Sequence, residues 1–97
     1  MSRQDPAPAP VVLPITGELD LHTFRPEDLG ELIPAYLGEC AARRLYEVRI
    51  IHGKGTGAMK KAVREALQNN PHVKRFEGGK DGEGGDGVTV AFMIAEL

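Results

Sequence analysis

Apolar residues along the chain alternate in short runs and recur at helical spacing in longer ones. From Ile15 to His22, Leu19 and Leu21 point one way and Asp20 and His22 the other, which predicts a strand. Arg25-Pro26-Glu27-Asp28 then has the marks of a helix start: proline in the first turn and acids at the positive end of the helix dipole. Leu29, Leu32, Ile33, Tyr36, Leu37, Cys40 and Ala41 form an amphipathic stripe at i, i+3, i+4, i+7 spacing. Pro34 interrupts it at a cost of about 3 kcal/mol. A short first turn, a break and a main helix from Pro34 to Arg44 are therefore expected. Tyr46 to Ile51 predicts a second strand, whose Val48, Ile50 and Ile51 imply burial on both faces, as in a parallel sheet. A second helix carries Met59, Ala62, Val63, Ala66 and Leu67 inward, and Asn69-Asn70-Pro71 stops it. Val73 to Glu77 and Val88 to Ile94 are the last two strands, separated by a glycine-rich, acidic stretch from Gly78 to Gly87. The element order is β-α-β-α-β-β, and its βαβ units imply parallel pairing.

Residues 1–14 hold four of the seven prolines and are expected to be a flexible Pro/Ala-rich tail, leaving 15–97 as one domain. A domain of this size buries roughly 60–70% of its unfolded surface and can fold alone. There is no Trp, so the core must be largely aliphatic. Cys40 is the single cysteine, which excludes an internal disulfide; it sits on the apolar stripe and is expected in the core. With no secretory h-region and no membrane-length apolar run, the expected address is the cytoplasm, the expected state a monomer, and no membrane partner is expected.

Net charge is −2, which by itself argues against a polyanion partner. The distribution reverses that argument. Residues 43–75 hold nine of the twelve bases and two of the fourteen acids, a local balance of +7 against −9 elsewhere. Fields are screened beyond about 8–10 Å, so a polyanion responds to the patch rather than the total. Within it, Lys60, Lys61 and Arg64 occupy the outer arc of the second helix, where they could track phosphates.

Two groups of residues carry candidate chemistry. His52-Gly53-Lys54-Gly55-Thr56-Gly57 joins a strand to a helix, so backbone N–H groups and the positive helix end face one space, which suits phosphate. Lys54 adds a point charge. The loop is not a Walker A motif, because Lys54 is followed by Gly55 rather than Ser or Thr. His22 and His52 end neighbouring parallel strands, which places both on the rim where open α/β sheets bind ligands. Two imidazoles titrating near neutrality could serve as general base and general acid on a phosphodiester, with Asp20 orienting His22 and with Lys54 and the loop amides stabilising the transition state. Asp20, His22 and His52 could alternatively ligate a metal, but their spacing does not require one.

Three segments, taken in order, resemble the small MutS-related (Smr) family: Leu19-Asp20-Leu21-His22, His52-Gly53-Lys54-Gly55-Thr56-Gly57 and Gly87-Val88-Thr89-Val90. The similarity covers about residues 15–97. It implies a two-layer α/β sandwich of βαβαββ order, with two helices on one face of a four-stranded mixed sheet, like the C-terminal domain of translation initiation factor three. It implies a standalone member, since no ATPase or clamp region is present. It also implies an endonuclease acting on DNA or RNA through Asp20, His22, His52, Lys54 and the loop residues Gly53, Gly55, Thr56 and Gly57. No cofactor is required where an RNA 2′-hydroxyl is the nucleophile; Mg²⁺ is the alternative. The family usually has glycine after the first-motif histidine, where this chain has Thr23. The competing expectations are a non-catalytic module for branched or structured nucleic acid, and a mononucleotide binder using the glycine loop alone.

Overall fold

A computed structural model describes residues 13–79 and 85–95. The strands are β1 (Glu18–Asp20), β2 (Glu47–Ile51), β3 (Val73–Gly78) and β4 (Val88–Met93), and the helices are α1 (Leu29–Ala42) and α2 (Ala58–Gln68). They form one four-stranded mixed sheet in the order β1-β2-β4-β3. β1 and β2 are parallel, as the first βαβ unit requires. β3 keeps the direction of β2 but does not touch it, because β4 lies between them, antiparallel to both. Both helices cover one face. Leu19 and Leu21, Val48 and Ile50, and Ala91 and Met93 meet Leu29, Ile33, Tyr36, Leu37 and Cys40 of α1 and Val63 and Leu67 of α2 in a single buried cluster. Among the described residues, no helix is long and apolar enough to cross a membrane.

Several boundaries differ from expectation. β1 is three residues long rather than spanning Ile15 to His22. Gly17 takes φ +91° at its start. At its end the Asp20 carboxylate accepts the His22 N–H, a side-chain turn that competes with the ladder. The expected break at Pro34 is absent. A short 3-10 turn at Pro26–Asp28 leads into α1, which runs unbroken through Pro34. The proline lies on the exposed side, and the carbonyl it leaves without a donor belongs to exposed Gly30, where water can satisfy it. β2 is not buried on both faces: Val48 and Ile50 are buried, Arg49 and Ile51 half-buried, and Glu47 exposed, because helices cover one side only. Ile94, expected at the end of the last strand, is exposed just beyond it. His72, expected to face solvent, is half-buried.

Leu13 and Ile15 pack against the core, so packing reaches back past the expected boundary at residue 15 to Leu13 at least. Positions 1–12 of the expected tail and 80–84 of the expected loop lie outside the described residues. α1 closes on Arg44 at φ 59°, the one non-glycine in the left-handed region among the described residues. Its neighbour Leu45 donates its N–H to the Cys40 carbonyl, as in a Schellman cap.

Tyr36 fastens the helix layer to the start of β1. Its Oη donates to the Glu18 carbonyl (3.1 Å) and accepts the Gly17 N–H (3.2 Å). Tyr36→Phe keeps the ring, removes the acceptor of the Gly17 N–H and leaves the Glu18 carbonyl with only the long contact from Thr16 Oγ1 (3.5 Å). It should lower the unfolding free energy by about 1–3 kcal/mol, read by urea denaturation. An unchanged midpoint would show that these two bonds contribute nothing.

Candidate functional site

The parallel pairing of β1 and β2 brings their carboxyl ends to one edge. Asp20 pairs with Ile51, and the Leu21 N–H donates to the Ile51 carbonyl (2.9 Å). The chain then turns, closed by the Phe24 N–H on the Leu21 carbonyl (2.9 Å). Thr23 is not at positive φ, so this turn does not require the glycine usual in the Smr family.

Asp20 and His22 form a pair at this edge. Asp20 Oδ1 lies 3.0 Å from His22 Nδ1 and accepts the His22 N–H at 3.0 Å. The His22 amide, then its side chain, holds the Asp20 carboxyl below the usual carboxylate range. An ionised Asp20 can only accept, so Nδ1 carries the proton and Nε2 is the basic nitrogen. The His22 side chain is 77% exposed.

His52 sits at the same edge in a different setting. By strand alternation Asp20 shares the helix-free face with Ile51, whereas His52 follows Val48 and Ile50 onto the helix side. It is 8% exposed. Nδ1 lies 2.9 Å from the Gly53 carbonyl oxygen and Nε2 2.8 Å from Thr89 Oγ1. Burial is the main force pushing its pKa down; the Gly53 bond opposes this, and Lys60 and Arg64 add to it. The structure therefore joins Asp20 to His22, and His52 to Thr89 and Gly53, with no hydrogen bond between the two imidazoles.

The glycine loop crosses the rim between these elements. Gly53, Gly55 and Gly57 take φ +78°, +28° and +89°, conformations that side chains disfavour. The Gly53 N–H is already bonded to the Gly87 carbonyl (3.0 Å). No acceptor is found among the described residues for the amides of Lys54, Gly55, Thr56 and Gly57, nor for Met59 and Lys60 in the first turn of α2. The loop lines a cleft of about 350 Å³ together with Pro26, His52, Met59 and Lys60. A second depression of about 380 Å³, sharing Gly57 and Lys60, continues along α2 past Lys61 and Arg64.

Charge pairing sharpens the basic patch. Arg43 pairs with Glu39, Arg49 with Glu18 and Arg75 with Glu77. Lys54, Lys60, Lys61 and Arg64 have no carboxylate partner among the described residues, so unpaired positive charge gathers on the loop and the outer face of α2. Arg64 also lies over the Phe76 ring at 5.8 Å. Asp20, His22 and His52 do not form one ligand set for a metal, because both His52 nitrogens are engaged; among the described residues no other three potential ligands converge. The residue at the site that the sequence analysis did not single out is Thr89, although it lies within the Gly87-Val88-Thr89-Val90 segment that carries the family resemblance.

The family model described as "Smr domain" matches residues 19–93. "Endonuclease MutS2" of Symbiobacterium thermophilum is 49% identical over 77 residues, covering 79% of this chain and 10% of that protein. "Endonuclease MutS2" of Staphylococcus aureus is 46% identical over 79 residues, covering 81% and 11%. The chain thus spans about a tenth of the length of the curated relatives it matches. The crystal structure of the Smr domain of Thermus thermophilus MutS2 superposes with a TM-score of 0.76 at 38% identity, covering 80% of this chain and 98% of that one. YdaL, a stand-alone small MutS-related protein from Escherichia coli, shares the fold at a TM-score of 0.73 and 22% identity, covering 79% and 63%.

The setting of His52 makes stability depend on pH. Above the ordinary imidazole pKa of about 6.5 the ring is neutral whether the chain is folded or unfolded. As pH falls below it, the unfolded chain takes up the proton first, so stability declines until the depressed folded pKa is passed. Denaturation at a series of pH values should show this decline in the wild type and a flatter profile in His52→Gln. An identical slope in both would remove His52 as its source.

Proposed function

The chain belongs to the Smr domain family, and on that basis we propose that it cleaves the phosphodiester backbone of nucleic acid at the rim shared by Asp20, His22 and the glycine loop. The observations that carry this are that parallel β1 and β2 end at one sheet edge, β1 with an oriented and exposed imidazole and β2 with a loop whose amides from Lys54 to Gly57 have no acceptor among the described residues. In RNA, His22 Nε2 takes the proton of the 2′-hydroxyl, and Asp20 stabilises the imidazolium through Nδ1. The 2′-oxygen attacks the adjacent phosphorus, the bond to the 5′-oxygen breaks, and the leaving oxygen takes a proton from water. The amides of Lys54 to Gly57, with the Lys54 ammonium, stabilise the charge that develops on the non-bridging oxygens. Lys60, Lys61 and Arg64 hold neighbouring phosphates. This route needs no metal ligand from the chain.

One observation favours a second role, a nucleic-acid-binding module without turnover: only one of the two rim imidazoles is exposed, the other being buried with both nitrogens bonded.

The two roles separate on incubation with labelled single-stranded, duplex and branched DNA and RNA. His22→Ala should lower cleavage by about 10²–10⁴-fold, with the fold intact because the side chain is exposed. EDTA should leave RNA cleavage unchanged. Activity lost to EDTA would assign the chemistry to Mg²⁺, and salt-sensitive binding without product would establish the second role.

Binding itself should depend on the α2 face. Lys60→Glu with Arg64→Glu should weaken affinity and flatten its salt dependence. Unchanged affinity in this double variant would place the contact elsewhere.

A further inference from the structure

We infer that Thr89 is a positioning residue: its hydroxyl and the Gly53 carbonyl hold His52 as the neutral Nδ1–H tautomer, and the ring so held latches the phosphate-binding loop to β4 instead of carrying a proton in the reaction. The role of the latch in binding rests on the phosphodiester function proposed above. The tautomer does not.

The partners fix the tautomer. A backbone carbonyl oxygen can only accept, so the contact between Gly53 O and Nδ1 (2.9 Å) requires a proton on Nδ1. The neutral ring then presents a lone pair at Nε2, and Thr89 Oγ1, 2.8 Å away, donates to it. Thr89 is fully buried, facing the helix layer beside Ile50, and His52 is the one hydrogen-bond partner of its hydroxyl among the described residues. Each group therefore satisfies the other, and removing either leaves a buried polar atom without a partner.

The latch lies where the loop departs from the sheet. The N–H groups of His52 and Gly53 both donate to the Gly87 carbonyl (3.0 Å each). The His52 ring adds a side-chain link to Thr89, two residues further along the chain from Gly87. Beyond Gly53 the loop is glycine-rich and mostly exposed, and among the described residues none of its amides from Lys54 to Gly57 is bonded before α2 begins. Its direction, and so the aim of the amides from Lys54 to Gly57, is set by this junction. A ring with both nitrogens engaged cannot also reach a substrate oxygen unless the latch opens, whereas His22 keeps Nε2 without a partner among the described residues.

The test is long-range proton–nitrogen NMR of the full chain with labelled histidine near neutral pH, on wild type, Thr89→Ser and Thr89→Val. Wild type and Thr89→Ser, which keep a hydroxyl, should show a protonated Nδ1 and an unprotonated Nε2 at His52. Thr89→Val, nearly the same shape without the hydroxyl, should lose that single pattern. It should also bind a labelled single-stranded oligonucleotide about tenfold more weakly, as expected for one lost hydrogen bond, with Thr89→Ser restoring affinity. An Nε2–H or doubly protonated His52 in the wild type would overturn the inference, as would a valine variant matching wild type in both spectrum and affinity. If the wild type binds no oligonucleotide, the proposed function fails and the spectra alone decide the latch.

Discussion

The site depends on one backbone pairing, the parallel ladder of β1 on β2. It is short, with Glu18, Leu19 and Asp20 opposite Arg49, Ile50 and Ile51, and it is extended by the Leu21 N–H on the Ile51 carbonyl. Parallel direction puts both carboxyl ends on the same edge. Strand alternation then divides the edge between two environments. The residues that follow Leu19 and Ile50 onto the helix side are dry and fully bonded; those that follow Asp20 onto the open face remain wet. One histidine falls on each side: His22 is exposed and paired with Asp20, and His52 is buried and bonded through both ring nitrogens.

The glycine loop occupies the boundary between these environments. Its amides from Lys54 to Gly57 have no acceptor among the described residues, and its glycines take φ values that would strain most other residues. Loop, helix dipole and the cations of α2 add in one direction. Elsewhere on the molecule Arg43, Arg49 and Arg75 are offset by adjacent carboxylates, while Arg44 and Lys74, like the cations of the loop and α2, have no carboxylate partner among the described residues.

Much of the fold was legible because it rests on local periodicity. The apolar stripe of α1, the inward residues of α2 and the run of β4 all lie close to where their spacing placed them. Failures of local rules came from tertiary context. Pro34 does not break α1, because its lost hydrogen bond falls on the wet side, and β1 is shortened at its carboxyl end by a turn that Asp20 makes with its own neighbour. In the site, the proximity of Asp20 and His22 was readable from their i, i+2 spacing. The bond from His52 to Thr89 was not, because it spans 37 positions and exists only if β4 inserts beside β2.

That insertion governs the order in which the molecule can be made. β3 touches the sheet only through β4, and β2 gains its second neighbour only from β4, which comes last of the four strands in the chain. A nascent chain emerging from the ribosome can therefore form both helices and the β1–β2 pair while still lacking the centre of its sheet. Until Gly87 and Thr89 have emerged, the glycine loop has neither its carbonyl anchor nor its hydroxyl partner. The sheet can thus close only once β4 is available, and the glycine loop should take its shape in that step rather than before it.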